Sequence, residues 1–484
     1  MIRQTSSAIA TIIRDFVSIY PVSLNLNLTI YTQKSGKFYK PWPVSTPIVI
    51  SDAAQISELS NSSHVLSQRA AYNDIFGLKT TLNNYKADET ATARSRLSGR
   101  LIYVNGVKNL PKLYPFLSQR LDYELKKEMR LGRHKQDGSI SLPLAPLMRN
   151  LTTSLMAFIF LGGNLSTDPI MANALLQYPK DMMKSFAAFQ FTPSILSRYV
   201  FDLHFFQRSN LTLPSFVHAI LTKRGRAMHI LVNKLTEIMG PGRDTWDEPE
   251  ATKKLTLAWN MPELATENKY WTDASLLAQS LLGMWFAAIH QPWMNLDFVL
   301  QELCLSEAWQ HKLLGELKGC EKLDYHTLQQ LPCLDGFIKE TVRLNPLDTM
   351  AIRRKALQDY TFSGGSPHVP AGRIVCVSSY NLMHDAVHYP CPDEFEPFRF
   401  INKETGASTS RFTDVHENFP IWGYGSLACP GRIQASIVMK MVVAAIVAKY
   451  EIRLEDEGAK RMWSWESFRM PYEGTRILLR ERKG

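Results

Sequence analysis

From about Asp88 to Glu340, apolar residues recur at three- and four-residue spacing in one segment after another, and this periodicity most narrows the folds open to the chain. KLYPFLSQRLDYELKKEMR (112–130) and LMRNLTTSLMAFIFLG (147–162) read as helices, and SLLGMWFAAIHQPWMNLDFVLQEL (280–303) as one long apolar helix. Pro241, Gly242 and Pro249 mark a polar connecting loop, and Pro332 interrupts the approach to the next helix. Strand-like material is confined to the flanks. LNLTIYTQ, KPWPV and PIVIS lie between 25 and 60, ahead of a helix over Asp52–Leu59; YTFSGG and RIVCVSSYNL follow Pro346. A loop-rich region runs from about His384 to Pro420, and IQASIVMKMVVAAIVAKY after Arg432 reads as a buried helix. No repeat or low-complexity linker divides the chain. The expectation is an amphipathic N-terminal segment, 1–24, then a single mainly helical domain with a minor sheet portion, 25–484.

A chain of 484 residues with 45% hydrophobic and 21% charged residues can bury the core of a large globular enzyme. The six cysteines all lie in the C-terminal half without a CxxC pair, which points to reduced thiols and away from a zinc or disulfide scaffold. The formal charge of +10 is spread along the chain with no basic block, so nucleic acid is not an expected partner; an acidic protein or a membrane surface suits it better. No apolar run approaches the roughly 18–20 residues of a membrane span. The start of the chain instead places Ile9, Ile12, Ile13, Phe16, Val17 and Tyr20 on one helical face, fit for a membrane surface or for packing on the domain.

WGYGSLACPGR (422–432) sets one cysteine among three glycines and a proline, directly before the apolar helix. Pro430 suits a first helical turn and Cys429 its cap, where backbone N–H groups would favour the thiolate. Gly423 and Gly425 permit unusual backbone angles and close approach. Such a sulphur can act as a nucleophile, a zinc ligand or an axial haem ligand. Zinc needs further soft ligands, and the preceding cysteine, Cys391, is 38 residues away. A nucleophile needs a base that the motif does not name.

The stretch resembles the haem-binding loop of the cytochrome P-450 family in Trp422, Gly423, Gly425, Cys429 and Gly431. That resemblance implies a P-450 fold with haem b between the long helix and the cysteine loop, and Cys429 as the axial thiolate on the iron. Leu427 stands where the family usually carries a basic residue for a haem propionate. FIKETVRLNP (337–346) resembles the family's E-x-x-R element, with Arg399 following in Pro397-Phe398-Arg399-Phe400. The resemblance implies a buried Glu340, Arg343, Arg399 network beneath the haem loop, although the same spacing recurs at Glu396/Arg399, Glu466/Arg469 and Glu473/Arg476. Phe398 replaces a glutamate of the family pattern. Arg94 and Arg354 occupy places where the family puts propionate partners, with Arg96 and Arg353 beside them.

AAIHQP (287–292) resembles the family's oxygen-binding element, with Ala287 and Ala288 keeping side chains short over the porphyrin. His290 replaces the acid and Gln291 the threonine that help deliver protons, so the resemblance implies an altered proton supply. His290, Gln291 and Ala287 are candidate catalytic residues; His290 also reads as a core histidine, and Gln291 as a filler or substrate contact. Pro292 has no N–H and should kink the helix, freeing the Ala288 carbonyl for a water or a substrate hydroxyl. Phe76, Phe189, Trp285, Phe286, Met350, Ile352 and Trp465 lie where the family lines its pocket, which suits a bulky hydrophobic substrate.

From about Lys40 the order of motifs is similar to that of filamentous-fungal members acting in secondary metabolism. The resemblance implies a monomeric monooxygenase taking electrons from NADPH through an NADPH-cytochrome reductase, at the cytoplasmic face of the endoplasmic reticulum. It also implies a membrane anchor, either cut away ahead of this start or replaced here by the amphipathic segment. The lost acid and threonine favour hydroxylation assisted by substrate, or desaturation, ring rearrangement or coupling. They also leave open a reductase-independent haem-thiolate isomerase or dehydratase. A haem sensor is the remote reading, because Cys429-Pro430 resembles short haem-regulatory motifs.

Overall fold

The computed structural model describes residues 37–38, 46–78, 98–191, 215–266 and 273–482. The amphipathic segment 1–24, the strand-like stretches LNLTIYTQ and KPWPV, and Arg94 lie outside them.

The long apolar segment forms one helix, Ala274–Cys304, which at about 1.5 Å per residue is roughly 46 Å long. Asp273 caps it by accepting from the Ser275 N–H at 2.9 Å. The helix runs without interruption through Pro292. It packs against helices Leu144–Leu161, Ser215–Met239, Pro332–Leu344 and Arg432–Lys449 and forms the axis of the main core. Pro332 does not break its segment; it opens the helix Pro332–Leu344 at the first turn, where a missing N–H costs nothing.

Leu144–Leu161 corrects the expectation that no segment reaches membrane length. Its 18 residues are long and apolar enough to span a bilayer, but 83% of that window is buried inside the protein, so it is a core helix.

The strands form four small sheets at the periphery. Ile48–Ile50 pairs in parallel with Ile374–Val377, which pairs antiparallel with Ala351–Ala356 and through it with Leu66–Ser67. Met462–Trp465 lies between Lys37–Phe38 and Phe468–Pro471. Tyr450–Leu454, Arg476–Glu481, Ile140–Pro143 and Arg133–His134 make the third, and Tyr360–Thr361 with His368–Val369 the fourth. The hairpin Arg133–His134/Ile140–Pro143 departs from the all-helical reading of that stretch. Its signal was in the sequence: Asp137-Gly138, with Gly138 at φ 80° and Asp137 accepting from the Ser139 N–H at 3.0 Å, is a hairpin turn. RIVCVSSYNL is likewise strand only to Val377. Ser378 then caps the short helix Ser379–Met383.

Candidate active site around Cys429

The cysteine loop is built from two short turns, Pro420–Trp422 and Gly425–Leu427, joined through left-handed glycines. Gly423 has φ 75° and Gly425 φ 61°; at Gly425 a side chain would also meet Ser60 Cβ at 3.2 Å. The buried Trp422 indole donates to the Phe412 carbonyl and lies edge-on to the Phe412 ring at 5.0 Å. The Cys429 N–H donates to the Trp422 carbonyl at 2.6 Å and so closes the loop.

The helix begins at Arg432 with Gly431 as its cap, so Cys429 stands two residues before the cap instead of forming it. The backbone donors alone do not lower the thiol as expected. Burial pushes the Cys429 thiol up, and this outweighs the Gly431 N–H, the Arg432 charge and the Arg432 N–H that pull it down. Lost hydration exceeds the field of a helix start, and a cation against the sulphur would have to restore the thiolate.

Cys429 opens into a cavity of about 420 Å³. Its opposite wall is the central helix, which presents Gln279, Gly283, Ala287, Gln291 and Asn295, every fourth residue over four turns. Ser280, Met284, Ala288 and Pro292 form the adjacent row. Trp422, Gly431, Gln434 and Met439 close the cysteine side, and Met156, Phe160, Tyr178 and Met228 the far end. Among the described residues, none that lines the cavity carries a charged side chain. The structure thus brings Ala287 and Gln291 together with Cys429, Trp422 and Gly431 around one space. Gly423 and Gly425 shape the loop without lining the cavity.

His290 is not among the lining residues. It is one residue out of phase with Gln291, about 100° around the helix. Its ring stacks on Phe286 at 5.7 Å and lies edge-on to Trp293 at 6.1 Å, and the Arg149 guanidinium covers Trp293 at 4.3 Å. Burial, with a smaller push from the Arg149 charge, pulls the imidazole down to about 4. It is a half-buried, neutral histidine set between Phe286 and Trp293, away from the cavity.

None of the aromatic and apolar pocket candidates lines this cavity. Trp285 is fully buried, donates to the Leu175 carbonyl at 3.1 Å and packs edge-on to Phe160. Phe76 and Phe286 flank Phe186 at 4.9 and 5.3 Å, and Phe189 packs over Gly77. Trp465 is buried in the three-stranded sheet, and Met350 lies with its sulphur 3.7 Å from Cys376 Sγ. Residue type identified apolar side chains, but helix phase and sheet face put them in the core. Gln279, Ser280, Asn295 and Gln434 went unnoticed in the sequence, although the four-residue comb ending at Asn295 was legible there.

Ile352 sits at φ 48°, where the register between Ala351 and Arg354 shifts by one residue against Val377 and Val375. The bulge breaks the alternation and buries Ile352, Arg353 and Arg354 in a row. Arg353 pairs with Asp348. Arg354 is 1% exposed and donates to the Arg353 carbonyl at 2.9 Å; among the described residues it has no carboxylate partner and its Nε no acceptor. Burial lowers it to about 10. Its strand packs on Pro420–Trp422, the start of the cysteine loop.

Beneath the loop, Glu340 receives Arg343 Nε at 2.7 Å and Arg399 Nε at 3.0 Å, all three groups being buried or nearly so. The other arginines and glutamates at the same spacing go elsewhere: Arg476 to Glu455, and Glu473 to Arg149. Phe398, exposed in place of the family's glutamate, packs on Trp309 at 4.9 Å. Lys440 and Asp335, 2.6 Å apart and buried, join the helix after the loop to the Glu340 helix.

These residues fit a flat, apolar group bearing carboxylates. A single thiol lies on one wall, small side chains on the other, and an unpaired buried guanidinium on the strand against the loop.

A Cytochrome P450 family model matches residues 21–479. An ent-kaurene oxidase of Gibberella fujikuroi is 26% identical over 80% of this chain and 75% of its own. Cytochrome P450 monooxygenase penP of Penicillium crustosum is 26% identical over 93% and 84%. The fold is similar to that of a retinoic acid bound cyanobacterial CYP120A1, at TM-score 0.64 and 18% identity over 90% of this chain and 89% of that one.

Proposed function

The chain belongs to the cytochrome P450 family and is a monooxygenase-type oxidoreductase, and from that premise we propose that it oxidises a bulky lipophilic intermediate of fungal secondary metabolism. The observation that supports this reading is that Cys429, Ala287, Ala288 and Gln291 line one and the same cavity. Cys429 would hold the haem iron, and Arg354 would receive a propionate. A thiolate-ligated haem supplies the activation of dioxygen and the transfer of one oxygen atom. The short side chains of Ala287 and Ala288 would leave room for the group beside the helix. Gln291, in the place of an alcohol, would hold the hydrogen bonds through which protons reach the reacting oxygen. Unlike a hydroxyl, its amide does not donate and accept through one atom, which supports an altered proton supply. Electrons would come from NADPH through a reductase at the endoplasmic reticulum. A terpenoid substrate is supported by the ent-kaurene oxidase relatives.

The reduced carbon monoxide difference spectrum tests the cofactor, and a Cys429→Ser variant should lose the thiolate band. Turnover of a terpenoid panel with and without NADPH and reductase then tests the reaction. Mass gain only with NADPH is the expected result, whereas isomerisation without it would favour the reductase-independent isomerase.

A further inference from the structure

Two hydrogen-bond acceptors on the central helix lack their ordinary donors. Asn295 lines the cavity, is 7% exposed, and its Oδ1 has no donor among the described residues. A buried amide oxygen without a donor is costly, and in a native protein it calls for a missing partner. The second acceptor is the Ala288 carbonyl, whose helical donor would be residue 292; Pro292 has no N–H. Ala288, Pro292 and Asn295 all face the same cavity. Side chains on a helix lean towards its N-terminus, so the Asn295 amide is directed back over the turn to which the Ala288 carbonyl points. An apolar cavity with a few convergent polar groups fixes the orientation of its ligand through them.

We propose that Asn295 Oδ1 and the Ala288 carbonyl form an acceptor pair that docks an O–H donor, carried by the substrate or by an ordered water. The proposal rests on reading this cavity as the oxidation chamber. Neither acceptor is charged, so the donor is a neutral alcohol or water in preference to an ammonium group.

Binding of dodecane, 1-dodecanol and dodecanoate to the haem-loaded enzyme, followed by the Soret shift, provides the test. The pair predicts that the alcohol binds about three- to tenfold more tightly than the alkane, and that dodecanoate binds more weakly than the alcohol. Asn295→Leu keeps the volume and removes the acceptor, and should abolish the preference for the alcohol over dodecane measured in the same variant. Pro292→Ala restores the N–H that closes the Ala288 bond and strengthens the helix, so it remains informative if the Asn295 variant fails to fold. It should reduce the same preference. If the docked donor is a water, the wild type shows no alcohol preference, but both variants change the product formed per NADPH consumed. An unaltered preference and unaltered coupling in both variants would overturn the proposal. An intact carbon monoxide spectrum and dodecane shift throughout would show that the haem site itself is sound.

Discussion

Arg399 and Glu340, 59 residues apart in sequence, meet at 3.0 Å beneath the cysteine loop, and Glu340 is fully buried between Arg399 and Arg343. Both carboxylate oxygens are taken: Oε1 also accepts from the Glu396 N–H at 3.0 Å, and Oε2 from Arg343. The pair joins the helix Pro332–Leu344 to the turn Pro397–Phe400 and so fixes the chain on its way to the loop.

Removing one cation from such a network leaves a buried charge uncompensated. Arg343→Met should therefore destabilise the fold by about 3–5 kcal/mol. Arg399→Leu should cost less, because Arg399 lies nearer the surface and Arg343 remains. Urea unfolding of the haem-loaded protein checks the ranking. Equal, small effects would show that the network does not carry the loop.

Arg354→Met separates two roles of one buried cation. Without haem, it removes a desolvated charge that no carboxylate compensates, so stability should hold or rise. With haem, it removes the proposed propionate partner, and transfer of haem to an excess of a haem-binding acceptor protein should become faster. If the variant retains haem as well as the wild type, Arg354 has another partner.

The His290 imidazole, held at about 4 in the folded chain, has an ordinary value of about 6.5 in the unfolded one. As pH falls, the unfolded chain binds this proton first. The stabilising contribution is therefore full above about pH 6.5 and is lost as pH falls towards 4, to a limit of roughly 3 kcal/mol. His290→Phe should flatten this part of the acid limb relative to wild type in urea unfolding between pH 7 and 4. An identical slope would mean that His290 is accessible to protons in the fold.

Gln291→Ala should lower the product formed per NADPH consumed several-fold while leaving the Soret shift on lipophile binding in place. Coupling that does not change would remove Gln291 from proton supply.

Composition and local spacing were enough for the elements whose environment repeats along the chain. Ala274–Cys304 and Arg432–Lys449 are apolar on nearly every face, so they could only be buried helices. Gly423 and Gly425 of the cysteine loop, whose permissiveness was visible in the motif, do adopt left-handed angles. The residues around the cavity were less legible. His290 and Gln291 are neighbours in sequence, yet only Gln291 reaches the cavity, because a helix turns about 100° between them. Arg353 and Arg354 are alike in type, but a single bulge and the position of Asp348 pair one and leave the other unpaired. The Cys429 thiol needed the fold as well. Its backbone donors were visible in the motif, while the desolvation that overrides them comes from surroundings that only packing assembles. Sequence determined which groups the chain offers; the tertiary structure decided which of them share one cavity, because that depends on packing between residues distant along the chain.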